Sequence, residues 1–223
     1  MDRLIVCGDI HGELRTLVYN LTDRFDIHDA SVIVAGDFGV GFSSKEYEEA
    51  EYKHVEKDLE KYNLKIYVVR GNHDCPQWFD GKHDFPRIKF LPDYEIVEIA
   101  GRKVYPVGGG ISIDQEERTE GKDWWPDEDV KRITEFPVRV DLIISHMAPI
   151  SFSPVTMRDE NMSAEIYEKC INSRSYLEKI LDEVKCKYWF YGHYHKSYSG
   201  HIGEMMYRGL GIHELYELWD DEE

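Results

Sequence analysis

Five short apolar segments, each ending beside an Asp, Asn or His, constrain the fold of this chain most strongly. They cover residues 3–7, 31–35, 64–69, 140–144 and 187–191. Segments of this length and composition predict buried β-strands. Stretches with the apolar spacing of a helix lie at residues 13–25, 45–62 and 163–184. Strands that alternate with helices predict an α/β protein in which several strands are parallel.

Two further regions predict hairpins, so the sheets are expected to be mixed. Residues 94–107 predict one hairpin around the turn Gly101-Arg102, and the segment after the last of the five strands predicts a second. A short helix is predicted over residues 126–136, with Pro126 in its first turn. Since no internal repeat or linker composition divides the chain, we expect one domain over residues 1–223.

The ends of the predicted strands carry side chains that can bind metal ions. Ligands in open α/β sheets bind at the carboxyl ends of the strands, so these side chains are expected at one edge. The candidates are Asp9, His11, Asp37, Asn72, His146, His193 and His195. Carboxylate, amide and imidazole ligands together suit Mn²⁺, Fe, Zn²⁺ or Ni²⁺ better than Ca²⁺. Because the set is too large for one tetrahedral ion, it predicts two ions about 3.5–4 Å apart that share a bridging carboxylate.

Each motif has an ordinary structural explanation when it stands alone. Gly-Asp after a strand is common turn chemistry, and a lone histidine such as His146 is usually a hydrogen-bonded core residue. Here the motifs recur at five strand ends, and they include five of the chain's 10 histidines. This recurrence favours a metal site over five unrelated turns.

The motifs resemble those of the calcineurin-like metallophosphoesterase superfamily. In chain order they read Gly8-Asp9-Ile10-His11, Gly36-Asp37-Phe38-Gly39, Gly71-Asn72-His73-Asp74, Ser145-His146 and Gly192-His193-Tyr194-His195. They extend from residue 8 to residue 195, which is most of the chain. The resemblance implies a four-layer αββα sandwich, made of two mixed β-sheets flanked by helices, with a dinuclear metal centre.

The resemblance also implies a role for each site residue. The metal ligands would be Asp9, His11 and His195 for the first ion, Asn72, His146 and His193 for the second, and Asp37 as the bridge. His73 resembles the histidine that donates a proton to the leaving oxygen, and Asp74 resembles the acid that orients this histidine. The expected cofactors are two divalent ions, with manganese first and iron, zinc, nickel or magnesium as alternatives.

These roles predict a phosphatase or phosphodiesterase that acts on a small phosphorylated substrate. A metal-bridging hydroxide is expected to attack phosphorus in line, while protonated His73 stabilises the leaving oxygen. A metal-dependent nuclease and a non-catalytic scaffold on the same fold are the alternatives. The scaffold is disfavoured because His73 and every ligand position are filled.

Residues between and beside these motifs indicate less about the substrate. The run Gly108–Gly110 is similar to a phosphate-binding loop, although a tight turn is the more common explanation. Arg118 is either a clamp for substrate phosphate or a solvated surface residue. Gly36-Asp37 is followed by Phe38-Gly39, whereas protein serine/threonine phosphatases and diadenosine tetraphosphatases carry an Asp-Arg-Gly run there. Membership of those subgroups is therefore not expected.

Composition sets limits on partners and location. The chain has 27 Lys and Arg against 44 Asp and Glu, a formal net charge of −17 at pH 7. This charge argues against broad nucleic-acid or anionic-membrane binding, and so against a nuclease. No apolar stretch approaches the roughly 18 residues of a membrane span, and the four cysteines form no CxxC pair. We expect a cytoplasmic protein, and its oligomeric state is left open.

Overall fold

Two β-sheets form the centre of the computed structural model, which describes residues 3–83, 85–152 and 162–219. The strands are β1 (Arg3–Cys7), β2 (Ala30–Val34), β3 (Leu64–Val68), β4 (Ile88–Phe90), β5 (Val97–Ile99), β6 (Arg102–Val107), β7 (Leu142–Ser145), β8 (Tyr188–Tyr191), β9 (Tyr198–Ile202), β10 (Met205–Gly209) and β11 (Leu215–Leu218). The helices are α1 (Leu14–Tyr19), which continues into a π-helical turn at Asn20–Arg24, α2 (Lys45–Lys61) and α3 (Ala164–Glu183).

Both sheets are mixed, as the sequence predicts. The first has the order β11-β1-β2-β3-β4, in which only β11 runs antiparallel to its neighbour. The second has the order β5-β6-β7-β8-β10-β9, in which β6, β7, β8 and β10 are parallel and the edge strands β5 and β9 are antiparallel. The carboxyl ends of the parallel strands in each sheet therefore share one edge.

Three hydrophobic clusters stack these elements into layers. The first joins α1 and α2 to the outer face of the first sheet and includes Leu17 and Val32. The second lies between the two sheets and includes Val6 and Phe190. The third joins α3, through Leu177, to the outer face of the second sheet. The order helix, sheet, sheet, helix confirms the predicted αββα sandwich.

The two long helices begin at serine caps. The side chain of Ser44 accepts a hydrogen bond from the backbone N–H of Tyr47, and that of Ser163 accepts one from Ile166. Such caps satisfy N–H groups that have no partner within the helix. Within the described residues, none of the helices combines the length and the apolar character needed to cross a membrane.

The predicted helix over residues 126–136 is wrong, because this segment has no helical hydrogen bonding. The backbone carbonyls of Asp127, Glu128 and Asp129 accept hydrogen bonds from the guanidinium group of Arg70 instead. The carbonyl of Glu128 also accepts the N–H of Gly110. Arg70 is fully buried, so its donors need internal acceptors, and these carbonyls satisfy them.

Candidate metal centre

All seven predicted ligands come together where strands of both sheets end. Three of the five motifs follow β1, β2 and β3 of the first sheet, and the other two follow β7 and β8 of the second. Together these motifs place two groups of potential ligand atoms beside each other, and the two groups share Asp37. Each sheet therefore supplies part of the site.

Sharp turns after the strands hold several ligands in an unusual backbone conformation. The φ angles of His11, Asp37, His193 and His195 are 46°, 48°, 68° and 52°. Residues other than glycine seldom adopt this left-handed region. Such strain costs about 1–3 kcal/mol for each residue and is concentrated at functional sites. The fold thus retains four strained residues at the place where the ligands meet.

The first group contains Asp9, His11, Asp37 and His195, whose potential ligand atoms all lie within 4.8 Å of one another. Nε2 of His195 lies 3.1 Å from Oδ2 of Asp9. Nε2 of His11 lies 3.0 Å from Nε2 of His195. The carboxylate of Asp9 is fully buried and accepts the backbone N–H of His193. Two imidazoles and two carboxylates thus face one small volume.

The second group contains His146 and His193, together with Asp37 and the amide oxygen of Asn72. Nε2 of His146 and Nδ1 of His193 each lie 2.9 Å from Oδ1 of Asn72, and they lie 3.2 Å from each other. Nδ1 of His146 faces the carbonyl oxygen of Ala35 at 2.9 Å. This carbonyl holds a proton on Nδ1, so Nε2 is directed at the site in the manner of a metal ligand.

Asp37 belongs to both groups. Its Oδ1 lies 3.2 Å from Nε2 of His146, and its Oδ2 lies 3.9 Å from Nδ1 of His11. Its Oδ1 also accepts the backbone N–H of His73 at 2.8 Å. This almost fully buried carboxylate therefore lies between the two groups of potential ligand atoms.

The charge balance of the site fits divalent cations. Burial and the neighbouring His146 lower the pKa of His193 to about 3, which keeps this imidazole neutral. Burial also opposes a charge on His146, but Asp37 and Asp9 raise its pKa to about 9. Burial works against the charge of Asp37, yet the surrounding histidines hold its pKa well below the usual range. Without an ion, a proton on His146 balances these carboxylates, and a divalent cation would displace that proton.

Two motif glycines provide the space in which the ligands approach one another. A Cβ atom on Gly192 would lie 2.0 Å from Oδ1 of Asp9. Gly36 has a φ of 93°, and a Cβ there would lie 2.1 Å from Nδ1 of His146. Any larger residue would therefore collide with a ligand, which explains why glycine occupies these two positions.

His73 and Arg118 line the same cavity as five of the seven candidate ligands, and this cavity has a volume of about 670 Å³. Nη1 and Nη2 of Arg118 lie 2.9 and 3.2 Å from the two ring nitrogens of His73. Asp114 holds the guanidinium group through two hydrogen bonds of 2.7 Å. Arg118 therefore lines the cavity and is not a fully solvated surface residue. Burial and the positive Arg118 lower the pKa of His73 against the opposing charge of Asp37.

The contacts of Asp74 differ from those expected of an acid that orients His73. Its buried carboxylate accepts the backbone N–H groups of Phe38, Gly39 and Val40, which form the loop after Asp37, and that of Gly71. Burial and the negative Asp37 raise its pKa to about 6, against these hydrogen bonds. In the described contacts Asp74 therefore fixes two loops of the site through their backbones.

Three buried residues outside the predicted set support the site. Ser112 accepts a hydrogen bond from the amide of Asn72, and Glu128 accepts one from Ser112. Arg70 ties the end of β3 to the segment that contains Glu128. Ser112 and Glu128 lie in irregular segments without periodicity, and the glycine run before Ser112 was the only local sign of a close approach.

Comparison with known proteins gives a family. No curated protein matches this chain. Among solved structures, the phosphopantetheinyl hydrolase PptH from Mycobacterium tuberculosis is 12% identical and has a TM-score of 0.53, with 98% of this chain and 96% of that chain covered. At this identity the likeness shows a shared fold.

Two Vps29 structures are also similar over most of the chain. Vps29 from Entamoeba histolytica, solved with zinc, is 14% identical, covers 94% of this chain and 74% of its own, and has a TM-score of 0.36. Vacuolar protein sorting 29 from Cryptosporidium parvum is 15% identical, covers 95% of this chain and 76% of its own, and has a TM-score of 0.38.

The model of the calcineurin-like phosphoesterase family matches residues 2–197, and the chain therefore belongs to that family.

Proposed function

We propose that this protein hydrolyses small phosphate monoesters or diesters with the help of two divalent ions. The observation that carries the proposal is the position of Asp37, which two groups of ligands share. When bound, such a pair of ions polarises a phosphoryl group and supplies a nucleophile derived from water near neutral pH. The remaining steps are assigned to the side chains of the chain itself.

The donor atoms divide naturally between two ions. Asp9, His11 and His195 would hold the first ion. Asn72, His146 and His193 would hold the second, with Asp37 between the two. Mixed oxygen and nitrogen ligands suit manganese, and also iron, zinc, nickel or magnesium, and manganese is the ion we would test first.

His73 is the proposed proton donor to the leaving oxygen. Its backbone N–H is fixed on Oδ1 of Asp37, which sets the base of the side chain beside the proposed metal pair. Its ring lines the cavity. Although burial and Arg118 lower its pKa, a bound phosphoryl group brings negative charge next to the ring and favours its protonated form.

Arg118 is the proposed binding group for substrate phosphate. Asp114 fixes the guanidinium plane, and one N–H donates to the carbonyl of Asp123 at 3.0 Å. Arg118 and His73 both line the cavity, and the N–H groups that now face His73 could donate to phosphate oxygens instead. A cavity of about 670 Å³ lies in the range typical of small-molecule sites, which supports a small ester as substrate.

The test compares p-nitrophenyl phosphate with bis(p-nitrophenyl) phosphate, using protein loaded with Mn²⁺. We expect hydrolysis of at least one ester, loss of activity on chelation and its return when Mn²⁺ is added back. Preference for the diester would identify a phosphodiesterase, and preference for the monoester a phosphatase. Two bound ions without hydrolysis of these esters or of a panel of natural phosphate esters would contradict the proposal and favour the scaffold.

A further inference from the structure

The amide group of Asn72 can serve as a metal ligand in only one of its two orientations. Its oxygen has lone pairs to offer, whereas its NH₂ group only donates hydrogen bonds. The two orientations have almost the same shape, so packing alone does not select one of them. In the structure Oδ1 faces both His146 and His193 at 2.9 Å. A contact on the opposite side of the amide can hold it in this orientation whether or not His146 is protonated.

Ser112 occupies that opposite side. Nδ2 of Asn72 donates to Oγ of Ser112 at 3.0 Å. A hydroxyl has one hydrogen, and Ser112 gives it to Oε2 of Glu128 at 2.5 Å. An ionised carboxylate accepts but does not donate, and the hydrogen bonds from Ser112 favour the ionised form of Glu128 against its burial, so the bond runs from Ser112 to Glu128. Oγ of Ser112 is left with a lone pair for Asn72, which requires the NH₂ group, and not the oxygen, on this side.

Glu128 is itself held in place at several points. Its Oε1 accepts the backbone N–H of Ser112 at 2.9 Å. Its own carbonyl accepts hydrogen bonds from Gly110 and from the buried Arg70. The side chains of Asn72, Ser112 and Glu128 belong to residues that are 2%, 2% and 3% exposed, so water does not compete for these bonds. The chain of hydrogen bonds therefore has one polarity, from the amide to the carboxylate.

We propose that Glu128 and Ser112 are positioning residues that orient the amide oxygen of Asn72 toward the second ion and thereby set the affinity for that ion. The proposal rests on the proposed ligand role of Asn72, and it is independent of whether the bound pair hydrolyses any ester. Partners of this kind behind a metal ligand typically change metal affinity by about 10- to 100-fold when they are removed.

The test measures Mn²⁺ binding to the metal-stripped full chain by titration calorimetry, with paramagnetic resonance to distinguish coupled pairs from single ions. In Ser112→Ala we expect one of two binding events to weaken by about 10- to 100-fold and the coupled signal to decrease. Ser173→Ala is the matched control. Ser173 is fully buried and also donates to a carboxylate, that of Asp129, and its hydrogen bonds among the described residues do not involve a proposed ligand. This variant should bind both ions as the wild type does.

A second variant tests the polarity of the chain. In Glu128→Gln, the N–H of Ser112 still requires the oxygen of the new amide, so the NH₂ group is placed against Oγ of Ser112. The hydroxyl of Ser112 then has no carboxylate to donate to, and it can donate its hydrogen to Asn72 only if the amide is reversed, so the reversed amide is favoured. We expect the second ion to bind at least as weakly as in Ser112→Ala. The unfolding temperature of the metal-free Ser112→Ala and Glu128→Gln variants should fall no further than that of Ser173→Ala.

Three results would overturn the proposal. The first is wild-type affinity for both ions in Ser112→Ala and Glu128→Gln. The second is an equal loss of affinity in Ser173→Ala, which would indicate general weakening of the structure. The third is a wild-type chain that binds a single ion, because Asn72 would then not be a ligand of a second one. None of these results depends on phosphoesterase activity.

Discussion

Asp37 is the residue on which both groups of ligands depend. Its two oxygens face His146 and His11 on opposite sides. Asp37→Asn keeps the shape of the side chain, but it removes the negative charge and replaces one ligand oxygen with an NH₂ group. We expect the bound Mn²⁺ to fall from two ions per chain to one or fewer, as measured by elemental analysis after dialysis. Asp114→Asn, in the same cavity but outside the ligand groups, should retain two ions. Two bound ions per chain in both variants would refute the bridging role of Asp37.

His73 lies beside the ligands without belonging to either group. His73→Ala should therefore keep its metal content and lose turnover by about 10²- to 10⁴-fold, the usual contribution of general acid catalysis. The loss should be larger for a phenyl ester than for a p-nitrophenyl ester, because a poor leaving group depends more on protonation. Steady-state kinetics on the two esters give this comparison. An identical loss for both would argue against proton donation to the leaving oxygen.

The candidate ligands could be predicted from the sequence because each lies shortly after a strand, and the strand ends of one sheet meet at one edge. The supporting residues could not. The role of Asp74 depends on which backbone N–H groups the fold brings to it, and that of Ser112 depends on its contact with Asn72. These contacts join residues distant in sequence, which no local pattern encodes.

At the scale of the elements, the buried Arg70 joins the end of β3 to the irregular segment 127–129. Arg70 donates to carbonyls of this segment and pairs with Asp93, whose side chain is 2% exposed. In Arg70→Met the carboxylate of Asp93 loses its buried partner, and we expect the free energy of unfolding to fall by about 3–5 kcal/mol. Lys131→Met removes the half-exposed partner of the same carboxylate and should cost about 1 kcal/mol or less. Guanidinium denaturation measures both, and similar losses would contradict the role assigned to Arg70.

Elements marked by an apolar run or by the apolar spacing of a helix were the predictable part of the fold. The strands β1, β2 and β3 and the helices α2 and α3 begin and end within about two residues of the predicted limits. The strand β4 spans only Ile88–Phe90, which is too short to show alternation. The segment 126–136 was misassigned because its carbonyls bond to Arg70, a tertiary contact that outweighs local propensity.

At the scale of the whole molecule, the site lies where the two sheets meet, and metal binding should stabilise the sandwich. Asp9 and Asp37 come from the first sheet, and His146 and His193 from the second. An ion that binds only the folded chain adds about 2.7 kcal/mol at one hundred times its Kd. We expect Mn²⁺ to raise the unfolding temperature measured by calorimetry, and Asp37→Asn to show a much smaller rise. An equal rise in both proteins would indicate binding elsewhere.

The net charge of −17 surrounds the cationic site that the proposed ions would create, and it should select against long polyanions. A small diester carries one negative charge and can enter the cavity, whereas an oligonucleotide brings many negative charges close to a chain whose net charge is −17. We expect kcat/KM to be higher for bis(p-nitrophenyl) phosphate than for a single-stranded oligonucleotide at low salt. Raising the salt from about 50 to about 200 mM should then increase kcat/KM for the oligonucleotide, because screening weakens the repulsion, and leave kcat/KM for the small diester nearly unchanged.

A nuclease with a basic contact surface would show the opposite trend, since its affinity for the oligonucleotide falls steeply with salt. A preferred oligonucleotide whose hydrolysis decreases with salt would therefore reject the small-ester assignment in favour of a nuclease.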